Sequence, residues 1–223
     1  ILRFEAVHGA ADYWLNGVLL GHSERLFTPI EFDVTDVVQC GAANRLALRM
    51  VVDSPSELLS FSSNYAFHNL GGIDRSVYLF ALPPVHLSRF HIDTRLDDAY
   101  RDGMLQLAFA IANTMGTLAA DLELRVRLDG ADVHASWRLP IDSAPPGETT
   151  LLKAFPVADP AKWSAEKPNL YRLVAELCAG GDVVERIERA VGFRSVEVDG
   201  SRLLVNGQGV KLAGVNRHEI DPL

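Results

Sequence analysis

The chain of 223 residues has few cysteines and no long hydrophobic run. Its two cysteines, Cys40 and Cys178, fall in different predicted domains, so we expect two reduced core residues rather than a disulfide. That usage favours a reducing compartment, and we expect a cytoplasmic protein. No apolar stretch approaches the roughly 20 residues of a membrane-spanning helix, and the alternation in Ile1–Glu5 indicates a strand rather than a signal peptide.

Runs of basic residues are also absent. The 21 Lys and Arg residues against 29 Asp and Glu residues leave a net charge of −8. Without a basic patch, we expect no nucleic-acid partner and no binding to an anionic membrane, and an uncharged substrate fits better. The seven histidines include no pair four residues apart, and two cysteines cannot build a structural zinc site. We therefore predict no metal site and no cofactor in this chain.

Sustained helical periodicity is nearly missing, and alternation with a period of two takes its place. In Leu122–Leu128 apolar residues fill every second position and charges fill the gaps, which is typical of a half-buried antiparallel strand. Short strands at this spacing predict an all-β protein made of β-sandwiches. Similar runs occur at Leu2–Val7, Val18–Leu20, Arg45–Val52, Val77–Leu82, Val85–Ile92, Met104–Ala112, Val133–Leu139, Thr150–Phe155, Leu173–Leu177 and Val183–Val191.

Two boundaries divide the predicted strands into domains. Pro83–Pro84 removes two ladder donors and fixes an extended link between two strand-rich stretches. A second boundary follows Phe193, and the roughly seven strands between the two boundaries match an immunoglobulin-like domain of about 100 residues. We therefore predict domains at residues 1–84, 85–195 and 196–223.

The C-terminal segment combines a hairpin with an apolar strand. Asn206–Gly207 between apolar runs is a strong hairpin signal. The second arm, Val210–Val215, is predicted to be a buried strand, and it leads into the polar residues Asn216–Glu219. A strand buried on both faces that ends in polar side chains fits the first strand of a parallel α/β barrel, whose C-terminal end carries function.

A series of motifs along the chain points to one enzyme family. The motifs are Tyr13–Gly17 with Gly21, Glu31–Thr35 with Asn44–Leu48, Gly72–Leu79, Trp163–Tyr171 with Val191–Arg194, and Gly214–Glu219. In this order they resemble family two of the glycoside hydrolases, the β-galactosidase and β-glucuronidase group. The resemblance implies a partial, galactose-binding-like jelly-roll sandwich, then an immunoglobulin-like β-sandwich, and finally the first strand of a truncated TIM barrel.

The resemblance also implies the reaction. Retaining glycoside hydrolysis needs two carboxyl groups about 5 Å apart, and in this family both are glutamates on later barrel strands that these 223 residues do not contain. We therefore expect the non-catalytic N-terminal part of a retaining β-glycosidase, inactive alone, with a β-glycoside as substrate. Some β-galactosidases of the family bind Mg or Na at residues that this sequence does not contain. The resemblance leaves open whether the full enzyme binds these ions and whether it forms a homo-oligomer.

The identity of the sugar stays open at this point. The Gly214–Glu219 motif favours a β-galactosidase, whereas the loop pattern Phe67-x-Asn69-x-x-Gly72-Ile73 favours a β-glucuronidase. Ala66 stands where both groups commonly place a substrate-binding aspartate. We favour the β-galactosidase slightly, and a carbohydrate-binding or structural β-sandwich module without catalysis is the other alternative.

The resemblance assigns substrate-binding roles to a few residues. His218 matches the family histidine that contacts the sugar, and an imidazole can donate or accept a hydrogen bond to a hydroxyl. Asn216 is a further substrate-binding candidate, while Arg217 and Glu219 are expected to support the site without performing catalysis.

The loop before Gly72 supplies two more candidates. His68 and Asn69 are expected to donate hydrogen bonds to the substrate in place of the missing aspartate. The alternative is that Phe67 belongs to the core and Asn69 stabilises a turn.

Two tryptophans and one threonine receive structural assignments. Trp14 and Trp137 both lie in alternating strands, and we expect both to belong to the cores rather than to stack on sugars. We expect Thr35 to cap a single helical turn over Thr35–Val38.

Overall fold

The computed structural model describes residues 1–25, 28–51, 54–60, 72–130 and 132–216. The chain divides into two compact units, Ile1–Leu82 and Pro83–Leu223. Each unit has a hydrophobic core of its own. No helix in the described ranges is long and apolar enough to cross a membrane.

In its described residues, the first unit consists of short antiparallel strands and one short helix. Its strands are β1 (Leu2–Phe4), β2 (Val7–His8), β3 (Ala10–Leu15), β4 (Val18–Ser23), β5 (Ile30–Phe32), β6 (Leu46–Val51), β7 (Gly72–Ile73) and β8 (Val77–Leu79), and its helix is α1 (Pro55–Ser60). They pair as β5-β1-β8, β4-β3-β6 and β2-β7. The turn between β3 and β4 has positive φ at Asn16 (52°) and Gly17 (85°), as a two-residue hairpin turn requires.

Alternation along β3 fixes which side chains enter the first core. Tyr13 is fully buried between the rings of Phe4 and Phe32, at centroid distances of 5.0 and 4.9 Å. Trp14, one residue later, points to the other face of the sheet and is half-buried. The expectation that Trp14 belongs to the core is therefore wrong, because period-two alternation places it opposite Tyr13.

The turn after β5 is present, but its cap differs from the predicted one. Backbone N–H groups of Val37 and Val38 donate to the carbonyl of Val34, at 3.0 and 2.8 Å. The side chain of Asp33, rather than that of Thr35, accepts the capping hydrogen bonds. Its Oδ1 lies 3.0 Å from the Thr35 backbone nitrogen and 2.5 Å from the Thr35 hydroxyl. A carboxylate is a better acceptor here than a hydroxyl.

The second unit is a sandwich of two antiparallel sheets followed by a small three-stranded sheet. Its strands are β9 (Val85–Leu96), β10 (Gly103–Asn113), β11 (Ala119–Asp129), β12 (His134–Ala144), β13 (Gly147–Val157), β14 (Tyr171–Ala179), β15 (Asp182–Val191), β16 (Val196–Asp199), β17 (Arg202–Val205) and β18 (Gln208–Gly209). The sandwich pairs a three-stranded sheet, β13-β10-β9, with a four-stranded sheet, β12-β11-β14-β15. The predicted all-β fold with an immunoglobulin-like sandwich is confirmed.

Side chains from both sheets meet in the sandwich core. On β11, Leu122, Leu124, Val126 and Leu128 are buried, and the charged residues between them face outward, as the alternation predicts. Trp137 packs against this core with its ring 4.6 Å from that of Phe155, so its assignment to the core is confirmed.

The two cysteines differ in their surroundings. Both are free, but only Cys178 is buried; Cys40 is exposed, so its predicted place in a core is wrong. The reason is local, because Cys40 lies in the irregular segment between β5 and β6 rather than on the buried face of a strand.

The predicted C-terminal hairpin is confirmed in its turn but not in its second arm. Asn206 and Gly207 have φ values of 51° and 72°, and β17 pairs with β18 across them. Beyond Gly209 the described residues have no regular structure, and Leu212 and Val215 are 76% and 91% exposed. The predicted buried strand over Val210–Val215 is thus wrong here. Val210 still donates its backbone N–H to the Leu203 carbonyl on β17, at 2.9 Å. A parallel strand needs flanking strands as hydrogen-bond partners, and beyond Val210 none of the described strands pairs with this segment.

Candidate functional site

The residues predicted to bind substrate or to support the site fall mostly outside the described ranges. His68, Asn69, Arg217, His218 and Glu219 are all in this position, and their roles stay predictions. Asn216 is described and lies exposed in the irregular segment after β18. The described elements that precede Asn216 are the strands β16, β17 and β18.

The small sheet β16–β18, which precedes Asn216, is fastened to the sandwich by Asn206. The Asn206 side chain accepts a hydrogen bond from the Ser195 backbone N–H (3.0 Å) and donates one to the Trp163 carbonyl (3.0 Å). Its own backbone N–H donates to the Ser195 carbonyl at 2.9 Å. One asparagine thus forms the hairpin turn and ties it to two other segments.

Tyr100 holds the same hairpin from the other side. Its hydroxyl donates to the carboxylate of Glu197 on β16, at 3.0 Å from either oxygen, and this hydrogen bond raises the pKa of Tyr100 above its ordinary value. The Tyr100 ring lies so close to Gly207 that an added Cβ would stand 2.5 Å from it. Only glycine fits at this position, because it combines the positive φ with the close approach of a ring.

A cavity of about 850 Å³ lies beside this hairpin, within the second unit. Its walls come from the ends of β9 and β15 and from the segment that leads into β16. Two hydrogen bonds join β9 to the segment between β15 and β16. The Thr94 hydroxyl donates to the Gly192 carbonyl at 2.7 Å, and the Leu96 N–H donates to the Ser195 hydroxyl at 3.3 Å.

The side chains that line the cavity are mostly paired. Asp93 lies 2.9 Å from the guanidinium of Arg95, and Glu197 accepts the hydrogen bond from Tyr100. The guanidinium of Arg194 stacks over the Trp163 ring at 4.4 Å, a cation–π contact. Both lining carboxylates are thus engaged by a neighbouring side chain.

The described residues also provide no metal centre. They contain no group of three or more His, Cys, Asp or Glu side chains that could hold an ion. The cavity is lined by three arginines together with backbone groups, and these can bind a polar group.

Sequence reasoning missed the residues that anchor the hairpin. It identified Asn206–Gly207 as a turn but not the bonds of Asn206 to Ser195 and Trp163. Those contacts join residues that are 11 and 43 positions apart in the sequence. A local sequence pattern cannot predict contacts of that range. The outward direction of Trp14, by contrast, follows from its alternation with Tyr13 and could have been found.

Both units match models of the same enzyme family. Residues 1–83 match the model described as glycosyl hydrolases family 2, sugar binding domain, and residues 85–194 match the model described as glycosyl hydrolases family 2. The two matches thus assign both units to a class of glycosidases. It belongs to glycosyl hydrolase family 2, as the order of its motifs predicted.

The curated relatives that match nearly all of this chain are β-galactosidases. The chain is 37% identical over 224 residues to the enzyme of Priestia megaterium, with 99% of this chain and 21% of that protein covered. It is 37% identical over 225 residues to the enzyme of Aeromonas hydrophila, with 98% and 21% covered. The chain therefore spans about a fifth of the length of the curated relatives that it matches.

Solved structures of family members share the fold. A family 2 glycosyl hydrolase from Bacteroides cellulosilyticus aligns with a TM-score of 0.82 at 23% identity, covering 96% of this chain and 29% of that one. A β-glucuronidase from Bacteroides uniformis aligns with a TM-score of 0.80 at 24% identity, covering 98% and 27%. At these identities the likeness concerns the fold alone.

Proposed function

We propose that this chain is the non-catalytic front part of a retaining β-galactosidase whose catalytic barrel lies outside these 223 residues. The observation that carries the proposal is the 37% identity to β-galactosidases over almost the whole chain, which extends through both units and the C-terminal motif. The chain covers about a fifth of those relatives, so the carboxyl pair that the reaction needs is sought in the remaining part.

Within such an enzyme the second unit would serve as a rigid support for one edge of the active site. Asn206 and Tyr100 fix the hairpin on the sandwich, and the chain runs from that hairpin to Asn216 and His218 within about ten residues. A short tether of this kind limits the positions that His218 can reach. Holding a substrate-binding group in place lowers the entropic cost of reaching the transition state.

His218 is proposed to hydrogen-bond a hydroxyl of the galactosyl ring, more strongly in the transition state than in the ground state. The test is the full-length enzyme carrying His218→Ala, assayed with an aryl β-galactoside. We expect kcat/KM to fall at least about ten-fold, which corresponds to about 1.4 kcal/mol in the barrier.

A matched control separates this role from a general effect of losing a histidine. His134 is exposed on β12, and its ring lies 3.4 Å from Asp129 at the sandwich surface. His134→Ala should leave the kinetics unchanged. If His218→Ala also leaves them unchanged, His218 has no part in the site.

A β-glucuronidase is the second candidate, and a specific observation favours it. The sequence carries Phe67 and Asn69 in the pattern of that group, whereas Ala66 replaces an aspartate common to both groups and favours neither. Comparing kcat/KM for an aryl β-galactoside and the matching β-glucuronide on the full-length enzyme decides between them. We expect at least about a hundred-fold preference for the galactoside, since a site built for a hydroxyl rejects a carboxylate that it cannot pair.

A further inference from the structure

The outer face of the sheet β4-β3-β6 carries an aromatic ring beside a depression. Trp14 stands between Leu19 on β4 and Ala47 on β6 in the strand register. The short side chain of Ala47 leaves space next to the indole, and a depression of about 570 Å³ lies there, entirely within the first unit. It is lined by Trp14, Asn16, Gly17, Gln39, Arg45 and Ala47.

A network of asparagine side chains fixes the rim of this depression. The Asn16 side chain donates to the Val37 carbonyl (3.0 Å) and accepts from the Arg45 backbone N–H (2.9 Å). Asn44 accepts from the Gln39 backbone N–H (2.8 Å) and donates back to the Gln39 carbonyl (2.9 Å). The two amides also bond each other at 2.8 Å. The backbones of Gln39 and Arg45 are therefore held in place before any ligand arrives.

The side chains of Gln39 and Arg45 are the unused polar groups of the rim. Both residues are exposed, and among the described residues neither side chain has a hydrogen bond or an ion pair. The neighbouring charges are already paired. Asp12 lies 2.7 Å from His22 Nδ1 and 2.5 Å from the guanidinium of Arg49. The Arg49 guanidinium also lies over the Trp14 ring, 5.9 Å from its centroid, but Arg49 does not line the depression. Gln39 and Arg45 line it together with Trp14.

We propose that Trp14, Gln39 and Arg45 form a carbohydrate-binding site that takes one pyranose ring. The apolar C–H face of a pyranose packs on an aromatic ring, and its hydroxyls need planar donors and acceptors at the ring edge. Gln39 offers both a donor and an acceptor, and Arg45 offers a fork of donors. A flat hydrophobic ligand would leave these two groups unpaired. The proposal does not rest on the enzymatic activity proposed above.

The test uses nitrogen-15 NMR on the 223-residue chain. Its three tryptophans give three indole N–H signals, and Trp14→Phe identifies the signal of Trp14. Titration with methyl β-galactopyranoside should shift that signal saturably and leave those of Trp137 and Trp163 unmoved. No saturable shift with this sugar or with methyl β-glucuronide overturns the proposal.

Surface variants give the decisive comparison, because they leave the core intact. Gln39→Ala and Arg45→Ala should each raise Kd about five-fold, which corresponds to about 1 kcal/mol. Arg202→Ala, an exposed arginine on β17 in the other unit, is the matched control and should leave Kd unchanged. Equal affinity for the wild-type chain and both rim variants overturns the proposal.

The two sugars distinguish what the rim recognises. Similar affinity for the galactoside and the glucuronide identifies the ring hydroxyls as the recognised groups. A preference for the glucuronide that weakens with salt and vanishes in Arg45→Ala identifies the carboxylate. Both patterns support the site, and they separate a neutral from an acidic ligand.

Discussion

Two asparagines perform the same task in the two units. Asn16 and Asn206 each adopt a positive φ before a glycine, and each uses both ends of its amide to fasten a second segment. Asparagine suits this position because it tolerates the left-handed conformation and carries a donor and an acceptor together. Aspartate would keep the acceptor but lose the donor, so only half of each attachment would survive.

The ion pair between Asp12 and His22 makes a prediction about pH. The hydrogen bond to Asp12 raises the pKa of His22, and the same bond lowers the pKa of Asp12. Stability from His22 is present below its ordinary pKa and disappears as pH rises through the raised value, whereas that from Asp12 disappears as pH falls through the lowered value. The pair therefore contributes between those limits.

Asp12→Asn should return the pKa of His22 towards its ordinary value of about 6.5. An NMR titration of the His22 ring measures this, with His134 as the internal reference, since it faces Asp129 in the other unit. An unchanged His22 midpoint in the variant would show that Asp12 does not hold the proton on the imidazole.

Single residues show where sequence reasoning succeeds and where it stops. The burial of Tyr13 and Leu124 follows from alternation alone. The cap at Asp33 and the exposure of Cys40 depend on the conformation of the irregular segment after β5. Such a segment has no repeating pattern of apolar residues from which burial could be predicted. The substrate-binding role of His218 is supported by its motif and not by geometry.

At the scale of elements, the strands of the sandwich were predictable because both of their faces have a defined environment. Leu122–Leu128 alternates cleanly, since one face meets the core and the other meets solvent. The strand Val196–Asp199 was not predicted, because a run of four residues is too short to show an alternating pattern. Val210–Val215 failed for the opposite reason: its apolar pattern is strong, but burial needs partner strands that the described chain does not provide.

The two turns of the small sheet, between β16 and β17 and between β17 and β18, allow steric and conformational effects to be separated. Gly200 and Gly207 both have positive φ, at 60° and 72°, but only Gly207 faces a ring. Gly200→Ala should therefore cost only backbone strain, about 1–2 kcal/mol in the free energy of unfolding. Gly207→Ala should cost about 1–3 kcal/mol more, since the new Cβ collides with Tyr100.

Urea unfolding of both variants measures the difference. Adding Tyr100→Ala to Gly207→Ala should remove the steric part and leave the strain. Equal costs for the two single glycine variants would mean that Tyr100 moves aside freely and does not fix the hairpin.

At the scale of the whole molecule, the order of motifs carried more information than any one of them. Motifs in both units belong to the same enzyme family, and their sequence along the chain identified it before any contact was known. The sugar specificity could not be reached in this way, because we expect it to depend on how a few side chains are arranged in space, and a linear pattern does not define that arrangement.

Each unit encloses its own hydrophobic cluster, and this leads to the last prediction. Leu124 is fully buried in the sandwich core, so Leu124→Ala should lower the stability of the second unit by about 2–5 kcal/mol. The matched control is Leu152→Ala on β13, where the side chain is 72% exposed and the change should stay within about 0.5 kcal/mol.

Fluorine-labelled tryptophan reports on the two units at once, because Trp14 lies in the first and Trp137 and Trp163 lie in the second. In urea, Leu124→Ala should move the transition of Trp137 and Trp163 to lower concentration and leave that of Trp14 in place. This outcome is expected because a cavity destabilises the core that surrounds it, and no residue of the first cluster belongs to that core. A common shift of all three signals would instead mean that the 223 residues unfold as one cooperative body.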